Sequence, residues 1–189
     1  MKRLLNSRKE TSTMRKPIFI TFSLLLILIL AACSESKTST KKEMSDKEKQ
    51  EEIVKVINED IAQISKYEVE ANQILASVSG ENFKNDKELY DVLVNQVIPL
   101  YDKVVKGAKE IDPKTRELKA QTDKLKKASL IYQEALLLEK EALEKQDKSL
   151  IEESNEKGLQ YQEAIQEYHE GMEKLTKKYN IDYEPTPLN

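Results

Sequence analysis

Residues 112–146, DPKTRELKAQTDKLKKASLIYQEALLLEKEALEKQ, decide the fold class of this chain. Past Pro113 the stretch holds neither Gly nor Pro, and its apolar residues recur every three or four positions. Leu118, Leu125, Tyr132, Leu136 and Leu143 form one line; Ala128, Ile131, Ala135, Leu138 and Ala142 run beside it. That period belongs to an α-helix, and two adjoining stripes give the helix two packing partners. Asp112 followed by Pro113 is a start signal, an acidic cap with proline at the first helical position. The predicted helix therefore runs from there to about Gln146.

The same period continues on both sides. Upstream, Leu89, Leu93, Val97, Leu100, Val104, Ala108 and Ile111 make the stripe of another helix, with Asn85 or Asp86 as its N-cap. Pro99 lies inside that stripe, where it removes a backbone donor and crowds the preceding turn, so a kink is expected between Asn95 and Pro99. Further upstream a helix from about Asp46 to Ser79 carries Ile53, Ile57, Ile61, Ile64, Ala71, Ile74, Leu75 and Val78 on one face, and Ser79-Gly80-Glu81-Asn82 ends it. Downstream, Asp147 or Ser149 caps a fourth helix with a seven-residue repeat at Ile151, Gly158, Ile165, Met172 and Tyr179, interleaved by Ser154, Tyr161, Tyr168 and Leu175. With four Gly and five Pro in 189 residues, the chain lacks the punctuation of a sheet protein. The expectation is all-α: an antiparallel up-down bundle of three to four long helices over residues 46–182. Two competing arrangements, a fused third and fourth helix or a free first helix, would each expose an apolar face for a partner or a second copy.

The N-terminus has a different character. Arg15 and Lys16 precede a 13-residue apolar run, Ile18 to Leu30, which ends in Ala31-Ala32-Cys33. A basic segment, a short apolar segment and small residues before a cleavage point make a secretory signal. A membrane-spanning helix needs about 20 apolar residues, and this run is shorter and contains Thr21 and Ser23. Leu30-Ala31-Ala32-Cys33 resembles the lipobox of bacterial lipoproteins. The resemblance implies that residues 1–32 are a signal peptide that is removed and that Cys33, the only cysteine, is the lipid attachment site. A diacylglyceryl group supplies the two acyl chains that stable anchoring requires. Met14 heads a compact signal by itself; alternatively Lys2, Arg3, Arg8 and Lys9 extend the basic segment. Residues 33–45 then comprise the lipidated cysteine and a flexible tether, Ser34 to Ser45, spanning roughly 20 Å as a coil. Residues 183–189, with Pro185 and Pro187, form an extended tail.

Charge narrows the partners. Residues 1–32 hold six of the 31 Lys and Arg and one of the 34 Asp and Glu, leaving 25 against 33 and a net charge of −8. Such a surface repels nucleic acid and anionic headgroups, so no nucleic-acid role is expected and the lipid must do the tethering. With Cys33 acylated no intrachain disulfide exists, and the body of roughly 145 residues must be held by its core.

Catalytic chemistry finds little footing. His169 is the sole histidine, with Glu173 one turn on and Glu170 adjacent. A di-metal bundle needs Glu-x-x-His on each of two helices, whereas Gln166 stands where that Glu would be. No metal or cofactor is therefore expected, and His169 is read as flanking the core stripe with its polar edge in solvent. Nucleophilic catalysis needs a base and an orienting partner beside the nucleophile, and no such motif occurs. Tyr67, Tyr132, Tyr161, Tyr168 and Tyr179 fall on or beside core stripes, leaving Tyr90, Tyr101 and Tyr183 as the tyrosines expected to contact something else.

A lipobox cysteine, a short polar tether and an all-helical Lys/Glu-rich body resemble the cell-wall-binding helical lipoproteins of Gram-positive bacteria. The resemblance covers Leu30 to Cys33 and the layout. It implies an extracytoplasmic, lipid-anchored location at the cell membrane and a non-catalytic binding or scaffolding role, with an envelope protein, a cell-wall polymer or a second copy as candidate partners. The alternative is a small-ligand or metal-binding helical bundle that uses Tyr and Glu side chains near His169.

Overall fold

The computed structural model describes residues 43–184, and among these all regular structure is helical. The first long helix, α1, spans 46–76: it runs as Asp46–Lys55, widens into a π turn at Val56–Ile61 and resumes as Ala62–Ala76. Ser45 opens it with a reciprocal cap. Its hydroxyl accepts from the Glu48 amide at 3.3 Å, while the Glu48 carboxylate accepts from the Ser45 amide at 2.7 Å. Gly80, at φ 56°, takes the left-handed turn that ends this segment, followed by a short 3₁₀ turn, Gly80–Asn82.

The second long helix, α2, spans 86–110 as Asp86–Val92, a π turn at Leu93–Val97, and Ile98–Glu110. Asn85 caps it through the Glu88 amide at 2.9 Å. α3 is Arg116–Lys145 and ends on Gln146 at φ 53°. α4 is Lys148–Lys178, capped by Asp147, which accepts from the Ser149 amide at 2.9 Å. α3 and α4 run in opposite directions along their full length: Lys178 pairs with Glu117 at 2.6 Å, Lys157 with Glu134 at 2.8 Å, and the Ser154 hydroxyl donates to the Ala135 carbonyl at 2.9 Å. α1 packs on α2 and α2 on α3. Across the α1–α4 seam the Tyr161 hydroxyl donates to Glu68 at 2.6 Å, and the Gln50 side chain donates to the Tyr179 carbonyl just past α4 at 3.0 Å.

Four details differ from the sequence reading. α3 begins at Arg116, not at Pro113, because the Glu52 carboxylate of α1 accepts the Lys114 and Thr115 amides, both at 2.8 Å, and caps the helix from outside. Asp112 pairs with Lys119 instead. In α1 the fifth-residue step across the π turn brings Val56 and Ile61 to the core, and Ile57 is only half-buried. In α2 the disturbance expected before Pro99 is the π turn itself, where the Ile98 amide reaches back five residues to the Leu93 carbonyl. The Asn95 side chain donates to the Asp91 carbonyl at 2.7 Å in the same turn. One consequence is that Tyr101, expected to face outward, is 0% exposed at the centre of the core. Ile151, placed at the head of the α4 repeat, is exposed. The signal segment, Cys33, most of the tether and residues 185–189 lie outside the described residues.

Candidate functional site: an acid and tyrosine cleft

At mid-height each helix contributes one polar side chain to a single layer. Glu68 comes from α1, Tyr101 from α2, Tyr132 from α3 and Tyr161 from α4. The Tyr161 hydroxyl donates to Glu68 Oε1 at 2.6 Å, and the Tyr101 hydroxyl reaches the same oxygen at 3.4 Å. The three rings form a chain. Tyr101 meets Tyr132 edge to face with centroids 4.8 Å apart, and Tyr132 meets Tyr161 at 4.7 Å with a 36° tilt. Such contacts add roughly 0.5–1.5 kcal/mol each beyond area burial. Tyr132 is held at its outer end by Asn72, hydroxyl to Oδ1 at 3.4 Å.

Glu68 is charged yet sits where the α1 stripe would place an apolar residue, four after Ile64 and three before Ala71. Burial pushes its carboxyl above the ordinary range, and the hydrogen bonds from Tyr161 and Tyr101 only partly offset that. Tyr132 is pushed up to about 12, first by burial and then by the nearby carboxyls of Glu139 and Glu68. Tyr161 is raised too, by burial and then by Glu68. Among the described residues no lysine, arginine or histidine forms an ion pair with Glu68; the ion pairs there are lysine pairs elsewhere on the surface, several of them one helical turn apart. A half-buried carboxyl is thus held by hydroxyl groups with no counter-ion among the described residues.

The layer opens onto a cleft of about 920 Å³ along the α1–α4 seam, with Glu68, Asn72, Tyr132, Tyr161 and Tyr168 on its walls. The volume falls within the usual range for small-molecule sites. Gly158 keeps part of the α4 wall low: a Cβ there would meet no atom within 4 Å. The far end of the cleft is closed by the segment after α4, where the Tyr183 hydroxyl lies 3.0 Å from His169 Nδ1. Burial lowers the His169 imidazole below its ordinary range, against a smaller opposing effect of Glu173. Next to it, Tyr168 buries its hydroxyl without a partner of hydrogen-bond geometry. The Tyr183 hydroxyl is its nearest polar neighbour and, after burial, helps to raise Tyr168.

The sequence-predicted residues are therefore dispersed. His169 flanks the core and is engaged by Tyr183, with no group of three or more His, Cys, Asp or Glu side chains around it or elsewhere among the described residues. Tyr90 reaches Glu144 of α3 at 2.6 Å, and Tyr67 lies under the Lys103 ammonium at 5.2 Å. Glu68, which sequence reasoning passed over, is the residue around which the layer is built; its signal was a charge on an apolar stripe. No family model matches the chain, and neither a curated protein nor a solved structure matches it.

Proposed function

We propose that this chain is a lipid-anchored, extracytoplasmic binding protein of the bacterial cell envelope, with four helices arranged as an up-down-up-down bundle and the α1–α4 cleft as its binding element. The observation that carries the location is Leu30-Ala31-Ala32-Cys33 after a basic and then a short apolar segment. The tether fits that reading, because the capped start of α1 at Ser45 leaves only a short polar stretch between the lipid and the body. Among the described residues no helix is long and apolar enough to cross a membrane. A binding role is supported by the cleft chemistry: its carboxyl is held by two tyrosine hydroxyls in a cleft of small-molecule size.

The test is fractionation and mass spectrometry of the full chain and of Cys33→Ser expressed in a Gram-positive host. The expected wild-type product starts at Cys33, carries two acyl chains and sediments with membranes, whereas Cys33→Ser is left unprocessed or is released. An unacylated wild-type chain, or identical membrane retention and processing of both chains, would refute the anchor. Crosslinking of the anchored protein on intact cells then identifies whether an envelope protein, a wall polymer or a second copy is held.

A further inference from the structure

We infer that the α1–α4 cleft binds a small organic ammonium ion, with Glu68 as its counter-ion and the Tyr132 and Tyr161 rings as its aromatic wall. This rests on the cleft being the binding element and names the chemistry of its ligand. Three independent observations converge on it. Glu68 is a half-buried carboxyl on the cleft wall that no cationic side chain among the described residues pairs with, so the site lacks one positive charge. An unpaired buried carboxylate is costly, and an exogenous cation supplies what the described residues do not. The rings of Tyr132 and Tyr161 stand 4.7 Å apart on the same wall. Electron-rich ring faces attract ammonium groups, more so where water is excluded. Finally, Tyr168, 2% exposed and on the wall of the same cleft, buries a hydroxyl that has no partner of good hydrogen-bond geometry and only the Tyr183 hydroxyl nearby, so its oxygen can accept a hydrogen bond. Apolar neighbours such as Ile57, Ile61 and Ile165 suit the carbon body of such an ion.

A metal ion suits the cleft less well. The Glu68 carboxyl already takes hydroxyl donors, and among the described residues it belongs to no group of three or more His, Cys, Asp or Glu side chains that could hold a metal. A free anion is disfavoured by Glu68, Glu70 and Glu184 around the cleft, against Lys66 and His169 as the basic residues on its lining.

The test is calorimetric titration and thermal melting of the full chain, purified into nanodiscs, with choline, with n-butylammonium and with 3,3-dimethylbutan-1-ol, which has the shape of choline without its charge. Saturable binding of at least one ammonium ion is expected, with the neutral alcohol weaker by about tenfold or more, the equivalent of about 1.4 kcal/mol. Glu68→Gln keeps the shape and the tyrosine contacts, so it should fold and melt cooperatively while losing ammonium binding by a similar factor. Affinity for the quaternary ion should rise with pH as Glu68 ionises and should be flat with pH in Glu68→Gln. Equal binding of choline and the neutral alcohol, full retention in a folded Glu68→Gln, or no binding of either ammonium ion would each overturn the proposal. In none of those cases would acylation at Cys33 or crosslinked partners be affected, so the anchored binding role stands or falls separately.

Discussion

Replacing Tyr161 by Phe removes one hydroxyl and leaves the ring, so it isolates the shortest bond in the central layer. That hydroxyl lies 2.6 Å from Glu68 Oε1, in the range of a charge-assisted bond. Hydrogen bonds to charged groups are worth about 1.5–3 kcal/mol. The cleft lets water reach the bereaved carboxylate, which places the loss near the lower end, about 1.5 kcal/mol. For a body of this size that is a fall in Tm of roughly 4–6 °C. Tyr101→Phe touches the same oxygen from 3.4 Å and should lose about 0.5 kcal/mol or less. The acid form of Glu68 is a poorer acceptor, so pH divides the effect. Because burial raises the folded-state carboxyl, the stability this group contributes is complete below its unfolded value and is lost as pH rises through the higher folded value. Tyr161→Phe should therefore destabilise more at pH 7.5 than at pH 4, and Glu68→Gln should be at least as stable as wild type at pH 7.5. The assay is urea unfolding followed by far-ultraviolet circular dichroism for Tyr161→Phe, Tyr101→Phe, Glu68→Gln and the Tyr161→Phe/Glu68→Gln double variant. A coupling near zero in that cycle, an equal loss at both pH values, or a Tyr101→Phe loss as large as that of Tyr161→Phe would refute the assigned bonding.

Two helix glycines should respond in opposite directions to alanine. Gly158→Ala meets open space and should stabilise by about 0.5–1 kcal/mol through helix propensity, whereas Gly107→Ala would place its Cβ 2.8 Å from Ile64 Cγ1 and should destabilise by about 1 kcal/mol net once overpacking is set against propensity; both are read from thermal melts. Glu52→Gln should lose about 1 kcal/mol at neutral pH and speed amide exchange at Lys114 and Thr115, which it caps. Burial would raise Glu52, but the bonds from Thr115 and Lys114 outweigh it and hold the carboxyl low, so this contribution is present above the ordinary carboxylate range and is lost as pH falls through the depressed value; a wild-type and variant gap that did not close in acid would contradict it. As the sole histidine, His169 gives a single imidazole titration by nuclear magnetic resonance, expected below the usual 6.5 because burial disfavours its cation. The stability tied to it is full above that usual value and is lost as pH falls toward the lower folded value. Removing residues 181–189 uncovers the ring and should move the midpoint back up; an unmoved midpoint would mean that the tail does not bury it.

Much of the helical content was legible because periodicity over long Gly- and Pro-free stretches leaves little choice. Of the two cap candidates in each stretch, Asn85 and Asp147 are the ones that cap, and such candidates are legible because an N-cap is a contact within one turn. What escaped the sequence depended on contacts between helices. Nothing local to Asp112-Pro113 reveals that Glu52, sixty residues away, will cap Lys114 and Thr115 and delay α3. Tyr101 was misplaced because a uniform 3.6-residue period puts Leu100 on the stripe, while the Leu89, Leu93, Val97 and Tyr101 spacing of four fits a wider turn. The candidate site was visible only as an anomaly, a glutamate between Ile64 and Ala71, and its tyrosine partners come from three other helices.

The two π turns describe where the chain carries surplus length. Subtracting one residue between Val56 and Ile61 returns α1 to alternating steps of three and four with Ile53, Val56, Ile61 and Ile64 still on one side. The same subtraction between Leu93 and Val97 does so for α2, bringing Leu89, Leu93, Val97, Tyr101, Val104 and Ala108 into regular register. Each helix thus reads as an ordinary amphipathic helix that has absorbed a single-residue insertion without turning its inner face. The insertions lie on the two helices that deliver Glu68 and Tyr101, so removal of one residue within either π turn would still present both, whereas a deletion elsewhere would rotate the side chains beyond it by about 100°.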